Sequence, residues 1–276
     1  MNDSERNGSV RIAACVEYDG GGFCGWQHQR GERTVQDCVE HAFSVVADHP
    51  VRVICAGRTD TGVHATAQVV HFETTARRSE RSWVLGANSN LPDEVAVNWA
   101  QPVPADFHAR FSARERSYRY VILNRWVRSG LLRGRTTWVH RPLDVGRMAE
   151  GAASLIGEHD FSSFRALACQ SKSPIRELRE LRVTRRGEFV LIDVAANAFL
   201  HHMVRNIAGV LIAVGSGDRS PAWVVQLLAA RDRTVGGVTA PPHGLYLVRV
   251  AYDPALGLPD EQRLPPYGAD HDDPKP

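Results

Sequence analysis

The sequence contains little cysteine, almost no lysine and no long apolar segment. Its five cysteines form no C-x-x-C pair, which argues against a disulfide framework or a structural zinc site and favours a reducing cytoplasm. No apolar segment reaches the roughly 20 residues that a membrane helix needs, because Arg205 interrupts the best candidate, "FLHHMVRNIAGVLIAVG". The N-terminal residues "MNDSERNGSVR" lack the apolar core of a signal peptide. We therefore expect a cytoplasmic protein with no membrane association.

Common nucleotide-binding and hydrolase motifs are also missing. The sequence has no G-K-[ST] phosphate loop and no G-x-S-x-G nucleophile elbow. The stretch "GGGFCG" (Gly20–Gly25) fits the dinucleotide pattern G-x-G-x-x-G, but "WQHQRGER" separates it from the helix that its glycines should open, which begins near Thr34. The hypothesis of a nicotinamide-dependent enzyme would rest on this stretch alone. We interpret it as a mobile glycine turn and expect no nucleotide cofactor.

The net charge is close to zero, but the arginines are unevenly distributed. Lysine and arginine number 33 against 31 acidic residues, and nine of the arginines lie between Arg110 and Arg141 with a single acid, Glu115. The aromatic residues interleaved with them are Tyr118, Tyr120, Trp126 and Trp138. Guanidinium groups and stacking rings suit a folded RNA, which offers phosphates and splayed bases. A solvated basic face accounts for the same run equally well.

The apolar pattern predicts an α+β fold with two α/β halves. "VRIAACVEY" is typical of a buried strand, and "TVQDCVEHAFSVVA" has apolar residues at helical spacing behind Thr34 as N-cap. The order strand, helix, strand pair, helix, strand occurs about twice, which favours mainly antiparallel sheets. We divide the chain into a flexible N-terminus (1–9), a first half (10–105), a second half (106–252) and a disordered tail (253–276) rich in proline and aspartate.

The segment "AGRTDTGVHATAQVVHF" places a carboxylate, Asp60, in a short loop between two predicted strands. Arg58 and Gly62 stand on either side of it. Glycine and aspartate are ordinary turn residues, so a tight turn is one interpretation. The other is that the loop presents Asp60 for chemistry.

A second charged residue, Arg205, lies in the apolar helix predicted near the end of the chain. A guanidinium group keeps its charge, so Arg205 must reach water or a carboxylate. Asp193 and Asp60 are both candidates. Pairing with Asp60 would hold an ionised carboxylate suited to nucleophilic or electrostatic work. A purely structural ion pair is the alternative.

His201 and His202 precede this arginine. As neighbours they should point to different faces of a helix, so we predict packing or hydrogen bonding for them and no metal site.

Five segments together resemble the tRNA pseudouridine synthase A family. They are "AGRTDTGVHATAQVVHF", "DFHARFSARERSYRYVI", "DFSSFRA", "NAFLHHMVRNIAGVLIAVG" and "HGLYLV". The likeness extends from about Val10 to Tyr252. One departure is Thr61, where the family usually has alanine after the aspartate; its small side chain should leave the loop unchanged.

The resemblance implies a pseudouridine-synthase-like fold, with two halves related by a pseudo-twofold and flanking a central cleft. It also implies a homodimer that converts uridine to pseudouridine at positions 38, 39 and 40 of the tRNA anticodon stem-loop, without a metal or organic cofactor. Asp60 matches the catalytic aspartate, which attacks the sugar or the base or acts through a glycal. Arg205 matches its ion-pair partner. Tyr118 matches the tyrosine that packs on the target base and assists proton transfer.

Three further residues are candidates for substrate binding. Arg58 is expected to hold the RNA backbone or help to splay out the target nucleotide, and Leu245 matches an apolar residue that lines the pocket. Arg110, from the arginine-rich run, is expected to contact the RNA. The alternative function from another class is a non-catalytic RNA-binding module on the same scaffold.

Overall fold

A computed structural model describes residues 8–267, and this part of the chain divides into two compact units. Unit 1 runs to Arg114 and also includes Leu247–Arg263. Unit 2 comprises Glu115–Tyr246 and continues from Leu264. The first unit is thus not continuous in sequence. Its boundary lies nine residues later than the division at 105/106, and a late strand returns to it.

Unit 1 contains an antiparallel sheet with two helices. Its elements, in chain order, are β1 (Val10–Tyr18), α1 (Val35–Ala47), β2 (Ile54–Cys55), β3 (His64–Thr74), α2 (Glu80–Asn88), β4 (Val95–Val103) and the larger part of β10 (Leu245–Ala251). The strand order is β4-β1-β3-β10, with the short β2 also paired to β3. Both neighbours of β1 run antiparallel to it.

The predicted helix after the glycine-rich stretch is confirmed as α1. The Thr34 side chain accepts a hydrogen bond from the backbone N–H of Asp37, which caps the helix as its sequence suggests. α1 ends where Asp48 adopts a left-handed conformation, with φ of +60°. The core beneath it is aromatic: the Phe43 and Phe72 ring centroids lie 4.6 Å apart, and Trp83 of α2 packs edge-on against Phe72.

Unit 2 contains mainly antiparallel strands and three helices. Its elements are β5 (Glu115–Asn124), β6 (Thr137–Val139), α3 (Val145–Ala153), β7 (Gly157–Asp160), β8 (Ile175–Arg186), β9 (Phe189–Ala196), α4 (Met203–Gly215) and α5 (Ala222–Ala230). The strand order is β5-β9-β8-β7, and β6 pairs with β5 in parallel. The prediction of an α+β fold with mainly antiparallel sheets is confirmed.

The helix α4 begins later than its apolar pattern suggests. His202 stands just before it in a left-handed conformation, with φ of +62°, and His201 lies in the preceding turn. The expectation that these two histidines point to different faces of a helix is therefore wrong. Their rings lie close together, 4.0 Å between centroids, because both residues precede the first helical turn.

The chain after Tyr252 keeps an ordered course beyond the point where composition places a disordered tail. A short 3-10 helix spans Pro254–Leu256, and Arg249 donates two hydrogen bonds of 2.6 Å to the carboxylate of Asp260. The backbone N–H of Arg263 donates to the carbonyl of Val248 on β10. These contacts attach the segment to β10. Residues 1–7 of the predicted flexible N-terminus (1–9) and residues 268–276 of the predicted tail (253–276) lie outside the described part of the chain.

Among residues 8–267, no helix has the length and apolar character needed to cross a membrane.

Candidate active site

Asp60 lies in a tight turn that connects β2 to β3 in unit 1. The carbonyl of Asp60 accepts a hydrogen bond of 3.1 Å from the N–H of Val63, and Gly62 adopts the positive φ of +78° that this turn requires. The Asp60 side chain is half-buried, whereas Arg58 and Thr61 are exposed. The turn interpretation is therefore correct for the backbone, and the same turn fixes the position of the carboxylate.

Side chains of β1 and β3 hold the first half of this loop. The hydroxyl groups of Tyr18 and Thr59 are hydrogen-bonded at 2.8 Å in a buried position, and the Thr59 carbonyl accepts from the N–H of Trp26 at 3.0 Å. Gln68 binds the peptide of Gly57 on both sides: its amide donates to the Gly57 carbonyl, and its oxygen accepts from the Gly57 N–H at 3.3 Å. These hydrogen bonds restrict the movement of the loop.

The glycine-rich stretch Gly20–Gly25 packs directly against the Asp60 loop. A Cβ atom on Gly20 would lie 2.0 Å from the carbonyl oxygen of Val63. One on Gly25 would lie 2.9 Å from the Thr59 carbonyl oxygen and 3.2 Å from the carbonyl carbon of Asp60. The interpretation as a mobile turn is therefore wrong: these glycines are needed because two backbone segments approach each other. They are the positioning residues that sequence reasoning missed.

Unit 2 carries Tyr118, Arg205 and Leu245. Tyr118 lies on β5, largely buried, and its ring packs edge-to-face against Phe199 with centroids 5.1 Å apart. Arg205 lies in the first turn of α4 and is half-buried; its Nε donates to the carbonyl of Ala240 at 2.9 Å. Leu245 is buried at the start of β10. Arg58, Asp60 and Arg110, the other three candidates, belong to unit 1.

Asp193, one of the two candidate partners of Arg205, is already paired. Both of its carboxylate oxygens accept hydrogen bonds from Arg119, at 2.6 and 2.9 Å, and both side chains are buried. Arg119 faces Asp193 directly across the β5–β9 pair. Arg182 of β8 also lies 3.8 Å from this carboxylate, so Asp193 already faces two arginines of its own sheet.

A buried asparagine on α4 fixes the segment that Arg205 contacts. The Asn206 amide donates to the Phe164 carbonyl at 2.7 Å, and its oxygen accepts from Arg233 at 3.1 Å and from Thr239 at 2.6 Å. The Ala240 N–H donates to the Arg205 carbonyl at 3.1 Å. Residues 233–240 are therefore attached to the first turn of α4. The sequence gives no signal for this network, because its members lie between 27 and 42 residues from Asn206.

The arginine-rich run does not form one basic surface. Arg119 is buried against Asp193, while Arg141 donates to Asp218 at 2.5 and 2.9 Å. Tyr120 is fully buried, with its hydroxyl donating to the Pro241 carbonyl at 2.7 Å, so it is part of the core rather than a stacking platform. Trp126, by contrast, is 81% exposed. Alternation along β5 places Arg119 and Tyr120 on opposite faces, while Trp126 and Arg141 lie outside the strand, so the run serves several purposes.

Comparison with known proteins identifies the family to which this chain belongs. A family model described as tRNA pseudouridine synthase matches residues 14–112 and 152–253. The tRNA pseudouridine synthase A of Methylococcus capsulatus is 63% identical over 90% of this chain and 92% of its own length. The proteins of that name from Nitrosococcus oceani and Coxiella burnetii are 60% and 56% identical, each over 91% of this chain and 96% of their own length. The match includes the Asp60 loop and α4, and the chain belongs to the tRNA pseudouridine synthase family.

Proposed function

We propose that this protein isomerises uridine to pseudouridine at positions 38, 39 and 40 in the anticodon stem-loop of tRNA. The observation that carries the proposal is the match of nearly the whole chain to tRNA pseudouridine synthases, at up to 63% identity among the relatives named above. The fixed turn around Asp60 supports it, because a nucleophile must be held in place. No metal or organic cofactor takes part in the proposed reaction.

The chemistry assigns a task to each candidate residue. A stacked uridine must leave its helix before a side chain reaches its glycosidic bond, at a cost of a few kcal/mol. Arg58 and Arg110 would bind the RNA backbone, and the ring of Tyr118 would stack on the displaced base and assist proton transfer. Asp60 then acts as the nucleophile. The N1–C1′ bond breaks, uracil turns, a C5–C1′ bond forms, C5 loses its proton and N1 takes one up, so atoms balance without a second substrate.

We further propose that Arg205 is the ion-pair partner of Asp60. Of the two carboxylates that the sequence suggested, Asp193 is engaged by Arg119, which leaves Asp60. The bond from Arg205 Nε to the Ala240 carbonyl supports this role, since it orients the guanidinium group from one side. Leu245 would contact the base and help to keep water from the detached uracil.

The family resemblance also leads us to propose a homodimer in the cytoplasm. Light scattering of the purified protein with and without tRNA would measure the number of subunits.

The proposed activity can be tested with tRNA carrying tritium at C5 of uracil. We expect tritium release, because C5 exchanges its hydrogen for the bond to C1′, and we expect the release to persist in a metal chelator. Transcripts in which uridines 38, 39 and 40 are replaced by cytidine should release none, and carbodiimide labelling should find pseudouridine at those positions only in the unaltered tRNA. Salt-sensitive tRNA binding without product would support the non-catalytic RNA-binding module instead.

Substituting Gly25 with alanine should lower the rate of pseudouridine formation by about 100-fold, because the new Cβ displaces the Asp60 loop. Gly31 is a matched control: it has the same φ of +83° but no atom within 4 Å of its Cβ position. Gly31→Ala should therefore carry only the left-handed backbone cost of about 1–2 kcal/mol. Steady-state rates and thermal melting of both variants measure the difference. Equal activities would contradict the proposed contact.

A further inference from the structure

Unit 1 contains a buried histidine, His64, to which the proposed reaction assigns no task. It is the first residue of β3, directly after the turn that carries Asp60, and only 2% of it is exposed. A buried imidazole gives up its hydrogen bonds to water, so its nitrogen atoms need partners within the protein. The contacts of this ring therefore indicate what it does.

Nδ1 of His64 binds the glycine-rich stretch that packs against the Asp60 loop. It accepts a hydrogen bond of 3.0 Å from the backbone N–H of Gly20, which is itself buried. The backbone of Gly20 fixes the direction of this N–H, so Nδ1 is the acceptor of the pair. Without the imidazole, a buried backbone donor would lose its partner, and such donors are rarely left unpaired.

The carboxylate of Asp19 lies beside the same nitrogen atom. Its Oδ1 is 3.1 Å from Nδ1 of His64 and accepts a hydrogen bond of 2.9 Å from the N–H of Gly21. The Asp19 N–H donates to the carbonyl of Glu94 at 2.9 Å, which anchors the start of the glycine-rich stretch. Asp19 and Gly20 are neighbours in the chain. A bond from His64 to either of them therefore joins the start of β3 to the same turn.

The two backbone segments that His64 joins meet at Val63. A Cβ atom on Gly20 would lie 2.0 Å from the Val63 carbonyl oxygen, so the approach leaves no room even for a methyl group. The Val63 N–H donates to the Asp60 carbonyl at 3.1 Å and closes the turn. Contacts thus run from the His64 ring through Gly20 and Val63 to Asp60. A displacement of Gly20 would consequently be transmitted to the turn.

We propose that His64 is a positioning residue for Asp60. By accepting the Gly20 N–H, it holds Gly20 against Val63 and so keeps the carboxylate where it can reach the target nucleoside. The proposal rests on the proposed function, in which Asp60 is the nucleophile, and this role requires no contact between His64 and the RNA. A misplacement of about 1 Å at a reacting group can lower the rate about 100-fold while substrate binding is retained.

Three substitutions of His64 separate this role from simple packing. His64→Leu keeps much of the volume but has no acceptor, so the single-turnover rate of tritium release should fall about 30-fold with an unchanged Kd for tRNA. His64→Asn places an oxygen near the position of Nδ1 and should restore the rate to within about threefold of the wild type. His64→Gln carries its oxygen one bond further from the backbone, so it should remain as slow as His64→Leu. A role in stability alone would not make the rate follow the position of the acceptor.

A histidine at the other end of β3 provides the matched control. Nε2 of His49 is hydrogen-bonded at 2.8 Å to the hydroxyl of Thr74, the last residue of β3. Ten residues of extended chain place Thr74 about 33 Å from His64. His49→Leu therefore makes the same substitution and removes a comparable hydrogen bond far from the Asp60 loop. We expect a lower melting temperature and a wild-type rate of tritium release.

A wild-type rate in folded His64→Leu would overturn the proposal, as would a raised Kd with an unchanged rate, which would assign His64 to RNA binding. Should His64→Leu fail to fold, the comparison of His64→Asn with His64→Gln decides, and equal rates at equal melting temperatures would overturn the proposal. Absence of tritium release by the wild-type protein would count against the proposed function. Normal wild-type release with an unaltered rate in His64→Leu would count only against the positioning role.

Discussion

Replacing Asp60 with asparagine should lower the rate of tritium release from C5-labelled tRNA by about 1,000-fold or more. The amide has nearly the size of the carboxylate but is a poor nucleophile, so the chemical step is lost while the shape of the site is kept. The bonds that fix the loop run through the Asp60 carbonyl, the Thr59 carbonyl and the Gly57 peptide, none of which the substitution changes. We therefore expect the loop to keep its conformation and tRNA affinity to be near normal, with a fall in melting temperature no larger than the loss of the proposed Arg205 pair causes.

Asp93 provides a matched control for this experiment. It is an exposed aspartate of unit 1, outside the Asp60 loop, so Asp93→Asn makes the same change of charge at a site with no proposed role. Its rate should stay within about twofold of the wild type, as surface substitutions usually do. Asp60→Asn that kept more than a tenth of the wild-type rate would exclude Asp60 as the nucleophile.

The Asp60 loop shows how much of this site can be predicted from sequence patterns. Glycine after aspartate predicts a turn, and the structure confirms it through the Val63–Asp60 hydrogen bond. The stretch Gly20–Gly25 gives no comparable signal, because its pattern predicts a mobile turn and does not say that another backbone segment packs against it. In this protein the neighbour is the Asp60 loop and not a phosphate. The pairing of β1 with β3, which are far apart in sequence, brings the two segments together.

Arginine partners are harder still to predict. Tyr118 and Arg119 are adjacent on β5, so their side chains lie on opposite faces, and only the register with β9 shows that Arg119 meets Asp193. A count of charges over residues 110–141 cannot separate such a buried pair from an exposed residue such as Arg110. Helix boundaries are hard to predict for a similar reason. The apolar pattern of α4 extends back to His201, but the left-handed conformation of His202 makes the helix begin at Met203.

Substituting Arg205 with methionine should lower the rate of pseudouridine formation by about 100-fold or more in a protein that still folds. Methionine fits the apolar surroundings of α4, and the backbone bond between Ala240 and Arg205 does not need the side chain. What is lost is the charge proposed to pair with Asp60 and the bond from Nε to the Ala240 carbonyl. Arg205→Lys should be only partly active, because an ammonium group keeps the charge without the planar donor set. The control for losing a positive charge is Arg182→Met. Arg182 is an exposed arginine of unit 2, and the nearest carboxylate oxygen, on Asp193, lies 3.8 Å away.

The pairing itself is tested by combining Arg205→Met with Asp60→Asn. If Arg205 acts only through its interaction with the Asp60 carboxylate, that interaction is already lost in Asp60→Asn. The double variant should then be no slower than Asp60→Asn alone. Losses that multiply would show that Arg205 acts independently of Asp60, for instance by binding RNA, and a shift in the KM for tRNA would then accompany them. A fully active Arg205→Met would contradict any role at the reacting centre. The same three rates thus separate an ion pair at the nucleophile from a half-buried cation that only anchors residues 233–240 to α4.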